Sequence, residues 1–234
     1  MDRGRKIYTA AIIICTLLFA VTLNHFVSMN GNDNDNIEVV SYKIDSSIYD
    51  IPYEYEFSPK QDLQLPELPT GCEATALSTL LRINGVDVTK FEVADAMPKS
   101  TSGEFVHHFW GDPYTEHNGW ACMAPCSVET ANMFLDENEK VAVEHTGMKL
   151  THLPLPSAVW VTMYLEDPMY TDYESEGYRL FANPHCVVVE YVDDMRVCVI
   201  DPLVGRVEYP FSKFEEVYKA LGSQAVCIEN VDNG

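Results

Sequence analysis

The chain has 234 residues, enough for one ordinary globular domain with a short extra segment. With 47% hydrophobic and 22% charged residues it is too apolar to be intrinsically disordered. Its formal net charge of −21 repels phosphate backbones and anionic lipid headgroups, which argues against nucleic acid as a partner and suits a solvated exported surface.

In chain order, Arg3, Arg5 and Lys6 precede seventeen uncharged, mostly apolar residues, Ile7 to Leu23. That length reaches the lower limit of about 17–25 residues for a membrane-spanning helix. It exceeds the apolar region of about 7–15 residues in a signal peptide. No small-residue cleavage pattern follows. Residues 1–28 are therefore expected to be an uncleaved signal anchor, with a cleaved signal peptide as the alternative. The basic flank stays inside and the remainder is exported. Residues 29–46 begin with Asn, Asp and Gly in a polar tract and read as a tether and lead-in. Residues 47–234 form the expected domain.

Within it, Ile37–Tyr55 overlaps the start as one or two strands. Glu73–Asn84 carries apolar residues at helical spacing and stops at Gly85. A second short helix is expected near Lys90–Met97. A structured loop follows over Pro98–Pro125, then a helix over Val128–Asn138. The period then changes. Ala158–Tyr164, His185–Val192, Arg196–Asp201 and Ala225–Ile228 read as strands, with a helix over Phe211–Leu221 between the last two. Helices first and strands later indicate an α+β domain, a helical part against an antiparallel sheet.

Seven dispersed cysteines do not form a disulfide framework in a domain of this size. Cys122 and Cys126 lack both redox spacing and a second pair to complete a zinc set, so they read as small buried residues. His107, His108, Asp112 and His117 lie in an aromatic loop, where histidines more often pack or hydrogen-bond than bind metal. Cys72 is different. It follows a Pro-Thr-Gly turn and opens a helix, where unpaired N–H groups and the helix dipole favour the thiolate. Taken alone, a cysteine there is more often a small buried helix-start residue than a reactive one. His185 opens one strand and Asp201 closes the next. Pairing them, with Val187 opposite Val199 and Val189 opposite Val197, puts all six side chains on one face. A carboxylate beside that imidazole would fix its tautomer and stabilise its charged form.

The stretch QLPELPTGCEATAL, Gln64 to Leu77, resembles the nucleophile motif of the C39-like peptidase family in the papain-like clan. HCVVVEYVDDMRVCVIDPLVG, His185 to Gly205, resembles that family's histidine strand and Asp-Pro-x-x-Gly segment. Weaker similarity runs through FWGDPY, AVWVT and FEEVYKALGSQAV. The resemblance implies a papain-like fold with Cys72 as nucleophile, His185 as general base and acid, Asp201 as its orienting residue and Gln64 as a side-chain oxyanion donor. A Gln amide and a helix-start N–H can converge on a developing oxyanion. It implies no cofactor, no metal, a peptide or protein substrate and a monomeric domain. Family members that cleave double-glycine leaders are fused to transporters. This sequence holds no ATPase motif, so that activity is not carried over. The expected protein is a thiol hydrolase in the cell membrane, single-pass with its C-terminal domain outside, or secreted if the signal is cleaved. A cell-wall amidase or transpeptidase, and a non-catalytic surface binding module, are the alternatives.

Overall fold

The computed structural model describes residues 62–231. The expected anchor, tether and early strands lie outside the described residues. Among the described residues, no helix is long and apolar enough to cross a membrane.

The helical part comes first, as the hydrophobic spacing indicates. Helix α1 spans Cys72–Ile83 and α2 spans Lys90–Ala96. Thr89 caps α2: its hydroxyl accepts from the Glu92 N–H while the Glu92 carboxylate accepts from the Thr89 N–H. Two short strands, β1 (Lys99–Ser100) and β2 (Phe109–Trp110), form a parallel pair. Helix α3 spans Ala124–Asn132, earlier than the expected Val128–Asn138. Pro125 occupies its first turn, where a missing N–H costs nothing, so this proline starts the helix instead of ending the loop.

The strands then build a six-stranded antiparallel sheet. They are β3 (Lys140–Glu144), β4 (Ser157–Thr162), β7 (Pro184–Val192), β8 (Arg196–Asp201), β9 (Gly205–Pro210) and β10 (Ala225–Asn230), in the order β3-β10-β4-β7-β8-β9. A separate hairpin pairs β5 (Tyr170–Ser175) with β6 (Tyr178–Phe181). Helix α4 spans Phe211–Ala220 and buries Phe214, Val217 and Tyr218. The domain is α+β. Every residue of β4 and β8 is buried, and the core joins the sheet valines to Leu77, Leu80 and Leu81 of α1. Helix α1 packs on β7, which brings its N-terminus to the strand that begins at Pro184.

The β7–β8 register departs from the sequence expectation. Val188 faces Ile200 and Val189 faces Val199, whereas Tyr191 faces Cys198 and Val192 faces Val197. The turn sits at Asp194–Met195, later than expected, with the Asp193 N–H donating to the Arg196 carbonyl at 3.0 Å. Continued unbroken, the register near the turn would send His185 and Asp201 to opposite faces. One extra β7 residue between Val189 and Tyr191 restores the parity. His185 and Asp201 therefore share a face, as diagonal neighbours and not as directly opposed residues.

The extra residue is held from the third strand. Arg206 of β9 grips Glu190 through two bonds, Nε to Oε2 and Nη2 to Oε1, both 2.7 Å. Bidentate geometry at half-buried positions makes this pair stronger than an ordinary surface ion pair. A double-mutant cycle with Glu190→Gln and Arg206→Met is expected to give a coupling of about 1 kcal/mol in urea unfolding. Additive effects of the two substitutions would show that the pair does not fix the bulge.

Candidate active site

The loop ahead of α1 is tied down at several points. The Gln64 N–H donates to the Pro202 carbonyl at 2.8 Å, Arg82 donates to Asp62 at 2.8 Å, and Lys90 Nζ donates to Glu67 at 2.9 Å. Gly71 is required by close approach: a Cβ there would lie 2.7 Å from the Leu68 Cβ. No side chain caps α1, and the Thr75 N–H, bonded to the Gly71 carbonyl, makes its first backbone bond. The N–H groups of the first turn, Cys72 among them, are left without intrahelical acceptors.

Cys72, Glu73, His185 and Asp201 are 6%, 1%, 2% and 2% exposed. His185 Nε2 lies 2.8 Å from Asp201 Oδ1. Burial alone would push the Asp201 carboxyl up. The His185 hydrogen bond and charge outweigh it, helped by the Leu203 N–H and the Tyr209 hydroxyl, and hold it below the ordinary range. An ionised carboxylate can only accept, so Nε2 carries the proton. In the neutral ring, Nδ1 is then the free base.

Cys72 Sγ is on the neighbouring element. It donates to Glu73 Oε2 at 3.1 Å, and the Cys186 N–H, next to His185 in the chain, favours its ionised form. No hydrogen bond among the described residues joins Cys72 to His185. The expected easily ionised thiol is corrected here. Burial first, and then the Glu73 charge, raise the Cys72 thiol well above its ordinary value despite the helix dipole.

Glu73 is a buried site group that the helical spacing of its segment does not mark. Its Oε1 accepts from the Cys122 N–H at 3.2 Å, and burial raises its carboxyl to about 7. The Trp160 indole N–H donates to the Cys122 carbonyl at 2.9 Å and steadies that loop. Gln64 is also buried. One amide hydrogen goes to the Pro69 carbonyl at 3.1 Å, while its Oε1 has no hydrogen-bond partner among the described residues. The amide's second hydrogen remains to be used. Tyr209 reaches Asp201 Oδ2 at 3.3 Å. Tyr164 and Leu165, just past β4, hold left-handed φ values of 55° and 53°, an arrangement that costs energy in non-glycine residues. No sequence signal marks either feature.

The other candidates are occupied elsewhere. His107 pairs with Glu129 and Glu176, and His108 pairs with Glu104. Cys122 and Cys126 are buried free thiols. His145, Cys227 and Glu229 cluster at the β3–β10 edge, but the His145 and Glu229 atoms are 2.7 Å apart. Bonds of about 2.0–2.2 Å to one tetrahedral zinc would hold two such ligands farther apart than that. A surface depression beside the β5–β6 hairpin, lined in part by Tyr170, Tyr178 and Arg179, includes none of the residues around Cys72.

Residues 48–226 match the model of the Peptidase_C39 like family. The chain belongs to that family. No curated protein matches it. A crystal structure described as a C39-like peptidase from Bacillus anthracis is similar at 28% identity and a TM-score of 0.65, covering 75% of this chain and 95% of that one. A double glycine motif protease from an AMS/PCAT transporter, solved with its leader peptide, is similar at 13% identity and a TM-score of 0.46, covering 74% and 91%. The peptidase domain of Streptococcus ComA is similar at 12% identity and a TM-score of 0.44, covering 71% and 95%.

Proposed function

We propose that the protein is a cysteine peptidase acting outside the cytoplasm, with Cys72 as nucleophile, His185 as base and acid, and Asp201 as the residue that orients the imidazole. The observation that carries this reading is the buried His185–Asp201 pair, which leaves Nδ1 as the basic nitrogen one residue from the N–H that favours the Cys72 thiolate. Family membership supports a peptide substrate. The Cys72 proton passes to Nδ1 and the sulfur attacks the peptide carbonyl. The Cys72 N–H and the free hydrogen of the Gln64 amide stabilise the oxyanion. His185 then protonates the leaving amine, the C–N bond breaks, and a thioester remains. Water, deprotonated by His185, releases the acid and restores the thiol. No cofactor enters these steps. The basic flank before Ile7 supports an N-terminal anchor with the domain on the exported side.

A membrane-impermeant peptidyl electrophile tests chemistry and location together. On intact cells producing the full chain, it should label Cys72 and no other cysteine, and His185→Ala should suppress that label. Labelling of Cys72 no faster than in unfolded protein, or indifferent to His185→Ala, would leave a non-catalytic binding module. Labelling only after lysis would overturn the exported placement. A probe adduct without cleavage of any peptide, but with hydrolysis of cell-wall amides, would select the amidase reading.

A further inference from the structure

We propose that Glu73 is a gate on the nucleophile: its ionised carboxylate holds Cys72 as a neutral thiol, and protonation of that carboxylate releases the thiolate to pair with His185. This deepens the peptidase reading and rests on Cys72 being its nucleophile.

The geometry is specific. The thiol donates to Glu73 Oε2 at 3.1 Å and makes no bond to His185. The second carboxylate oxygen is fixed by the Cys122 N–H at 3.2 Å, so Glu73 cannot swing away without leaving that donor unpaired. At 1% exposure, the carboxylate has almost no water to screen it. The titratable groups around it are Cys72 on its own helix, Cys122 with Cys126 behind it, and His185 and Cys186 on β7. Among these, the His185 charge favours ionised Glu73, while burial opposes it more strongly.

Two acids in contact titrate as a pair. With Glu73 ionised, a thiolate would create a second negative charge about 3 Å away, the like-charge case in which one member stays protonated. A proton taken from solvent by Glu73 Oε2 removes that repulsion. It also turns the acceptor into an O–H donor, which can bond the thiolate once the Cys72 proton has moved to His185 Nδ1. The balance is one proton gained by Glu73 and one transferred from sulfur to nitrogen. The gate opens on the acid side of neutrality, since the Glu73 carboxyl stands at about 7.

Glu73→Gln imitates the open gate, because it keeps an acceptor for the Cys122 N–H and places an uncharged N–H donor beside Sγ. The measurement is the rate of iodoacetamide alkylation at Cys72, resolved by peptide mapping across roughly pH 5 to 10, a range that brackets depressed and ordinary thiols. In the wild-type chain the rate should pass through a maximum on the acid side of the Glu73 midpoint, fall as that carboxyl ionises and the gate closes, and climb again as the thiol itself ionises. In Glu73→Gln that fall should vanish, and alkylation at pH 7.5 should be about tenfold faster or more, since each unit of thiol shift is a factor of ten. A Gln profile equal to wild type, or slower, overturns the gate. If the variant does not fold, a wild-type rate that only rises with pH overturns it alone. The readout is alkylation and not turnover, so a chain that cleaves no peptide would sink the peptidase reading and leave this test intact.

Discussion

His185→Ala should lower kcat/KM by roughly 10²–10⁴-fold, the usual contribution of a positioned general acid and base. Among the described residues, the substitution removes the only imidazole bonded to Asp201 and, in the proposed mechanism, the nitrogen that takes the thiol proton. It leaves Cys72 against Glu73 and the proposed oxyanion donors untouched, so a residual rate above water is expected. Asp201 keeps the Leu203 N–H at 2.8 Å and the Tyr209 hydroxyl, which limits the structural cost to the loss of one charged hydrogen bond, about 1–3 kcal/mol. The decisive comparison is single-turnover acylation by a peptidyl electrophile in wild type and variant, each checked for cooperative unfolding. A variant within about threefold of wild type would show that His185 and Asp201 form a structural pair.

The second large effect is on stability. Glu73 is raised from 4.5 to about 7 in the folded protein, chiefly by burial, so folding holds a proton that the unfolded chain has already lost over that interval. Stability therefore falls as pH rises between these values, and the full cost is present above 7. At about 1.4 kcal/mol per unit, the cost is about 3 kcal/mol. The Cys72 proton adds nothing in this window, because opening the gate moves it to His185 without releasing it to solvent. Glu73→Gln should thus stabilise the protein by up to about 3 kcal/mol at pH 8, with the gain shrinking towards zero near pH 4.5. Urea unfolding at the two pH values measures it. A gain independent of pH, or a loss at pH 8, would show that Glu73 is not held at the expense of its charge. With the alkylation profile, this makes Glu73 a residue that lowers stability while restraining the nucleophile, a trade-off common where a site needs a buried charge.

Much of this arrangement is written in local sequence. The apolar spacing of Ala74, Leu77, Leu80 and Leu81 specifies α1, because helical period alone decides which face can be buried. The buried run of β8 and the valines of β7 read as strands for the same reason. Cys72 at a helix start, with His185 and Asp201 at adjoining strand ends, was therefore visible before any tertiary contact. The β5–β6 hairpin was not, since β5 is mostly exposed and polar and offers no alternation to read. β3 and β9 are half-buried throughout most of their length and blur the same signal.

What tertiary structure decided is the chemistry of those positions. A one-residue slip in β7 sets the face on which His185 lies. That slip is held by Arg206 of β9, a residue sixteen positions from Glu190. No local pattern can encode a parity that depends on a third strand. Helix position by itself argues for an easily ionised Cys72. The folded chain reverses this first by burying the thiol itself and then by setting the enclosed Glu73 carboxylate beside it. Sequence determined which groups meet. Only their enclosure by distant segments decided which of them holds the proton, because desolvation depends on everything packed around a group and not on its neighbours in the chain.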